Sequence, residues 1–314
     1  MKYFRYVLKK LLGMIPIILI VSVVVFFLLR MSGVDPVTVM IGEKQATDEL
    51  RESLRTQFYL DKPLLTQYWI WLKGVLTGNL GVDYINKQSI SELIVSRLPV
   101  TIGLVIMSSL FGMTFAIILG VIAALNRNKP ADHILSVLML FLTSVPNFVV
   151  SILVIVFCSK FIPGYSFVGA YSNFGEFLQR IFLPSLVMSL GVVAMLGRVT
   201  RSSMISQLQA PHITTARAKG MDSFNVTFKH AFHNAVIPVI TIAGLQFASS
   251  VGGTVLIEQI FSLPGVGGLL ISGIQQNNYP VVQILVLFML VIYLVMSFVV
   301  DMLYAIIDPR VKLS

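Results

Sequence analysis

Residues 11–29 read LLGMIPIILIVSVVVFFLL, with Lys9 and Lys10 before the run and Arg30 after it. A helix needs about 20 mostly apolar residues to cross a bilayer core, and this run has no charge inside it. It is longer than the apolar stretch of a signal peptide, and no small-residue cleavage site follows, so it reads as a membrane span. Further apolar runs follow at about 100–125, 134–157 (interrupted by Pro146), 181–196, 235–257 and 281–306. Six spans are expected, with both termini on one side.

Composition supports this. Of 314 residues, 56% are apolar and 12% charged, against about 25% charged in ordinary soluble domains. Mean hydropathy is +0.87. Such a chain has too few charges to be disordered or to cover a water-soluble globule without large exposed apolar patches. The net charge of +9 does not point to nucleic acid, because the basic residues cluster between the apolar runs, where they orient a membrane protein. The single cysteine, Cys158, lies in an apolar run and reads as a small buried hydrophobe.

Charge fixes the orientation. Lys2, Arg5, Lys9 and Lys10, then Arg127 and Lys129, then Arg198, Arg201, Arg217, Lys219 and Lys229, and finally Arg310 and Lys312 share one side with only Asp132, Asp222, Asp301 and Asp308. The other side carries equal numbers of basic and acidic residues. The excess assigns the first side to the cytoplasm, with N- and C-termini inside.

Three stretches outside the spans carry pattern. Residues 31–99 form an external segment too long for a structureless loop. Leu50, Leu54 and Phe58 recur as on one helix face, and Pro63 opens a second helix in which Leu65, Trp69, Leu72 and Leu76 share a face. Tyr68, Trp69 and Trp71 suit the headgroup layer, and Gly78-Asn79-Leu80-Gly81 reads as a turn. Residues 258–280 form a shorter external loop with Pro264, Gly265, Gly267 and Gly268. The chain thus divides into 1–30, the external segment 31–99, and a five-helix core 100–314 containing the cytoplasmic loop 198–234.

That loop reads as two short helices about a corner. Pro211 suits the first turn of the first helix, and Gly220 closes it in the left-handed conformation. Asp222 or Ser223 caps the second, where Phe224, Phe228, Ala231 (or Phe232) and Ala235 form an apolar stripe. Pro238 follows just inside the fifth span. The small Ala216 and Ala218 would let another protein grip the first helix closely and move the fourth and fifth spans with it. Periodicity leaves open the alternative of an amphipathic loop on anionic headgroups.

The chain has no energy source of its own. No Gly-Lys dipeptide occurs, so there is no P-loop, and neither a zinc-protease motif nor a nucleophile elbow is present. His230 and His233 lie three apart, yet no third ligand is near in sequence, so no metal site is expected. Ionisable residues are nearly absent within the spans, which weighs against an ion-coupled secondary transporter. Glu258 near a span end is the candidate external gate or receptor contact, although an ordinary interfacial acid is the simpler reading. Ser144, Pro146 and Asn147 are candidates to line a pathway, because a proline frees backbone carbonyls beside a cavity; Pro184 is a second kink candidate. Ser108, Gly112, Ala116, Gly120 and Ala124 align in the second span, and Gly244, Ala248 and Gly252 in the fifth. Such faces serve close packing within a subunit or, alternatively, contact with a second permease chain.

The stretch Thr215-Ala216-Arg217-Ala218-Lys219-Gly220, followed by His230 to Pro238, resembles the permease signature of binding-protein-dependent ABC importers, in the variant typical of the dipeptide/oligopeptide/nickel family. The usual acidic first residue is absent. Leu60-Asp61-Lys62-Pro63, Val145-Pro146-Asn147-Phe148, Arg198-Val199-Thr200-Arg201, Ile257 to Gly267 and Asp308-Pro309-Arg310 match the same family in order. The resemblance implies a type I ABC importer permease, all-α and polytopic, in a bacterial or archaeal cell membrane. It implies docking of residues 215–220, with Asp222 and Pro238 beside them, onto cytoplasmic P-loop ATPase subunits, one or two in kind, that hold ATP and magnesium. It also implies a homologous second permease subunit and an extracytoplasmic substrate-binding protein. The chain itself is expected to bind no cofactor and to catalyse nothing. Di- or oligopeptide is the expected substrate, with nickel or a metal-chelate or opine complex as the alternative.

Overall fold

The structure is a computed structural model that describes residues 2–42, 47–162, 164–165 and 171–307, with side chains between 6 and 302. The Asp308-Pro309-Arg310 stretch and Lys312 lie outside the described residues. The described chain is helical: α1 (Lys2–Arg30), α2 (Pro36–Ile41), α3 (Asp48–Gln57), α4 (Leu64–Leu76), α5 (Ile90–Leu125), α6 (Pro130–Ser144), α7 (Asn147–Phe161), α8 (Phe174–Leu208), α9 (Pro211–Ala218), a π-helical stretch (Asn225–Phe232) running into α10 (His233–Ile260), α11 (Val266–Gln275) and α12 (Tyr279–Ile307).

Among the described residues five helical stretches are long and apolar enough to cross a membrane, and the α6–α7 pair makes a sixth span if its two halves are one crossing. The spans outrun the apolar runs that announce them. A helix of 36 residues such as α5 is about 54 Å long at 1.5 Å per residue, well beyond a hydrocarbon core of about 30 Å. The third span departs most from expectation, because its halves meet at 97°. Pro146 caps α7 and lacks the N–H needed to continue α6. Pro184, by contrast, is buried inside an unbroken α8.

Two compact units result: Met1–Pro99 with Pro264–Ile292, and Val100–Leu263 with Tyr293–Ser314. In the first, α4 packs on the end of α1. Phe26, Tyr68 and Leu72 are buried together with Trp71 against them, and Ser22 Oγ lies 2.8 Å from the Tyr68 hydroxyl. The expected apolar face of α4 is mostly the wrong one. Leu65, Trp69 and Leu76 are exposed, because the aromatic ring faces between α1 and α4 bury more area and supply hydrogen-bonding tips. Thr47 caps α3 by accepting the Leu50 N–H, and Asp35 caps α2. Within the expected 258–280 loop the chain forms the short apolar helix α11. Asp83 anchors this unit. It is buried and accepts from Ile85 N–H at 2.7 Å, Asn86 Nδ2 at 2.9 Å and Asn278 Nδ2 at 2.6 Å. Burial opposes its ionisation, but these hydrogen bonds and the Asn86 N–H outweigh that and hold its carboxyl below the usual carboxylate range.

In the second unit, α5, α6 and α8 approach at glycines. A Cβ on Gly120 would stand 2.5 Å from Thr200 Cβ and 2.7 Å from the Gly197 carbonyl oxygen; one on Gly112 would stand 2.6 Å from Val192 Cγ1. The small face of the second span therefore packs inside this chain. In α10 the small residues divide: Gly244 is pressed by Val300, whereas Gly252 has no atom within 4 Å of an added Cβ.

Candidate functional site: the cytoplasmic corner

The corner is built locally. Pro211 stands at the first helical position of α9, where its fixed φ suits the helix, and Thr215 Oγ1 donates to the Pro211 carbonyl at 3.1 Å. At the other end Gly220 N–H donates to the Arg217 carbonyl at 2.9 Å and Met221 N–H to the Ala216 carbonyl at 3.2 Å. Those two bonds, with Gly220 at φ +79°, form a Schellman ending. Asp222 starts the next helix: its Oδ2 accepts the Asn225 N–H at 3.1 Å and its Oδ1 accepts from Asn225 Nδ2 at 2.6 Å. These bonds hold the exposed Asp222 carboxyl below the usual carboxylate range, and its negative charge suits a helix N-terminus.

Packing ties the corner to the long helices. Ile213 and Ala216 of α9 are buried with Val121 and Ala124 of α5, Met204 of α8, Val226 and Ala231 of the π-helical stretch, and Ala235 of α10. Met221 packs on the same cluster, which is the apolar contact that accompanies a Schellman ending. Thr215, Arg217, Ala218, Lys219 and Gly220 remain exposed.

Two details differ from the sequence reading. Only Ala218 of the two small residues is offered outward, while Ala216, 8% exposed, seals the helix to its own chain. The second helix is not a separate piece, since the chain is helical without a break from Asn225 to Ile260. Its first eight residues are π-helical, with a wider turn than the α-helix. The expected stripe therefore splits: Val226, Ala231 and Ala235 are buried, while Phe224 and Phe228 are exposed, their rings 4.8 Å apart. Pro238 is exposed on α10.

The sequence reading counted Asp132 only as a charge. In the structure it is 1% exposed and takes a two-pronged bond from Arg201, Nε at 2.5 Å and Nη2 at 2.7 Å. Asn128 N–H also donates to it at 3.0 Å. The pair joins the start of α6 to the cytoplasmic end of α8. A carboxylate just after Pro130 at a helix start was the available signal, but its partner is 69 residues away and periodicity cannot find it.

The remaining candidates do not gather into one site with the corner. Ser144 and Pro146 are exposed and Asn147 half-exposed at the α6–α7 break; Ser144 Oγ donates to the Leu140 carbonyl at 3.1 Å. Glu258, read as an interfacial acid or receptor contact, is fully buried. Thr101 Oγ1 donates to its Oε1 at 2.7 Å, and its main-chain oxygen accepts the Leu263 N–H at 2.8 Å. The Thr101 bond offsets part of the cost of burying the acid, which would be higher for an unpaired carboxylate.

Long apolar helices, one sharply bent helix pair and a short helix pinned at a capped corner are the features of a multi-pass membrane protein. Residues 116–313 match the family described as "Binding-protein-dependent transport system inner membrane component", and residues 3–105 match its N-terminal counterpart. The chain belongs to this family of ABC importer permeases and is a multi-pass component of the inner membrane. It is 36% identical to the glutathione transport system permease protein GsiC of Escherichia coli O6:H1 over 308 residues, covering 98% of this chain and 99% of that one. GsiC of E. coli K12 is 35% identical over the same span and coverage, and that of Salmonella typhi 36%. Among solved structures, a crystal structure of an amino acid ABC transporter with histidines matches at TM-score 0.53 and 14% identity, covering 70% of this chain and 95% of that one. That likeness concerns the fold.

Proposed function

We propose that this chain forms one half of the translocation pathway of an importer for short peptides of about glutathione size. A homologous second permease would form the other half, and an extracytoplasmic binding protein would deliver the substrate. ATP, with magnesium, would be hydrolysed on cytoplasmic P-loop subunits that grip residues 215–220. The carrying observation is the corner itself: α9 is pinned at Ile213 and Ala216 to the α5, α8 and α10 cluster, so force applied to its exposed side reaches three long helices. Arg217 and Lys219, both exposed, would face acidic groups on the ATPase in place of the missing acidic contact. Relatives named for glutathione transport support the peptide reading over nickel.

The test is affinity purification of the chain from solubilised native membrane with whatever accompanies it, followed by reconstitution. Recovery of a second permease and P-loop ATPases, with ATP-dependent uptake of labelled glutathione or dipeptide, supports the proposal. ATP-dependent uptake of nickel or a chelate alone overturns the substrate. Transport by the chain alone without ATP overturns the mechanism.

A further inference from the structure

The first unit carries a half-open cleft of about 330 Å³ that the importer reading does not use. Arg30, Gln67, Trp71, Tyr84 and Gln283 are among its walls. Arg30 ends α1, and its guanidinium carbon lies 3.4 Å from the centre of the Phe26 ring. Its Nε donates to Gln67 Oε1 at 3.2 Å and its Nη1 to the Phe26 carbonyl at 3.3 Å. Gln67 is itself fixed, because its Nε2 donates to the Lys62 carbonyl at 2.8 Å. A guanidinium has five N–H donors, so several stay unused. No carboxylate of the described residues pairs with Arg30. Asp35 pairs with Arg55 at 2.9 Å, and Asp83 is occupied by Ile85, Asn86 and Asn278.

Two further donors stand idle in the same walls. Trp71 Nε1 and Gln283 Nε2 are buried and make no hydrogen bond, and Gln283 is only 2% exposed. Buried donors without acceptors, next to a half-buried cation without a counter-charge, are expensive. The Tyr84 phenol, pushed up to about 12 chiefly by burial, stays protonated and adds no negative charge. A cleft whose buried unpaired atoms, Trp71 Nε1 and Gln283 Nε2, are donors and whose one charge is positive is complementary to an oxyanion.

We propose that this cavity binds a single carboxylate or phosphate group, held by the fork of Arg30 and by the N–H groups of Trp71 and Gln283. The group belongs either to a soluble molecule or to the headgroup of an anionic lipid.

The chain contains two tryptophans, and Trp69 is exposed. A Trp69→Phe variant therefore leaves Trp71 as the only indole reporter in the cavity wall. The full-length variant, in phosphatidylcholine nanodiscs, is titrated with inorganic phosphate and with acetate while Trp71 emission is followed. A parallel preparation uses phosphatidylglycerol nanodiscs. A saturable change with phosphate or acetate assigns a soluble oxyanion. A change on transfer to phosphatidylglycerol, with no response to either ion, assigns the lipid headgroup. Either response should weaken about tenfold or more in Arg30→Gln, and likewise in Gln283→Leu, which keeps the Arg30–Gln67–Phe26 contacts and guards against misfolding of the first variant. No response in any arm, or a response unchanged in both variants, overturns the assignment.

Discussion

Ala216 and Ala218 stand two residues apart on one eight-residue helix, yet arginine at each should fail for opposite reasons. Ala218 is exposed, so Ala218→Arg removes no contact within this chain and should change its stability by no more than about 0.5 kcal/mol. Its effect should appear when an ATPase grips α9, because a long side chain with a third positive charge must then be buried where only the small Ala218 fits, between Arg217 and Lys219, which under the proposed docking already engage the acidic groups of that surface. Such a charge costs roughly 3 kcal/mol, about a hundredfold in dissociation constant at 1.4 kcal/mol per decade. Ala216 is 8% exposed and packed with Ile213, Met204 and Val121. Ala216→Arg should overfill that cluster and bury a charge within the chain, at more than about 3 kcal/mol of its own stability. The assay pairs thermal unfolding of each purified variant in detergent with titration of the co-purified ATPase against it in proteoliposomes. Ala218→Arg should melt like the parent and bind the ATPase about a hundredfold more weakly. If it binds and supports uptake like the parent, residues 215–220 do not form the gripped face and the lever reasoning is wrong.

Gly220→Ala should cost about 1–2 kcal/mol for a side chain in the left-handed region, where Gly220 sits at φ +79°; Gly220→Pro, which also loses the bond to the Arg217 carbonyl, should abolish uptake while the protein still inserts, as a blot of washed membranes will show. Gly120→Ala should lower stability by about 1–3 kcal/mol, since its Cβ would meet Thr200 and the Gly197 carbonyl; Gly252→Ala meets nothing among the described residues, so unchanged melting with impaired assembly would place a second permease against that face. Because the Asp83 carboxyl is held below its ordinary range, its contribution to the first unit should be complete above that range and disappear only as the pH falls through its lowered value; in melting curves taken from pH 7 down to pH 3, Asp83→Asn should remove this acid-dependent part. A protease added from outside to sealed cells should cut within 40–95 and spare 205–230, and the reverse pattern would invert the topology.

The membrane class, the number of apolar runs and the caps at Pro211, Gly220 and Asp222 were legible because each depends on a few adjacent residues. Asp222 accepts from Asn225, and Gly220 closes on Arg217. The faces were harder to read. A period of 3.6 placed Phe224 and Phe228 with Ala231, but the π-helical stretch widens the turn and sends the two rings outward. On α4 the apolar count favoured Leu65, Trp69 and Leu76, while the aromatic partner Phe26 on α1 selected Tyr68 and Trp71. In a membrane chain an apolar side chain is no signal of the core, because the lipid-facing surface is equally apolar.

By itself, the sequence determined that this chain is a helical membrane protein with six apolar runs and a capped corner between the fourth and fifth, because hydropathy, charge bias and capping act over short distances along the chain; the likeness of that corner to an importer-permease signature rests on the family resemblance. Only the tertiary structure decided which side of α9 is offered, that Glu258 is sealed against Thr101, that Asp132 belongs to Arg201, and that the third span turns through 97°. Those facts rest on contacts between residues tens to more than a hundred positions apart, or on the direction a chain takes after a proline, and local pattern holds neither.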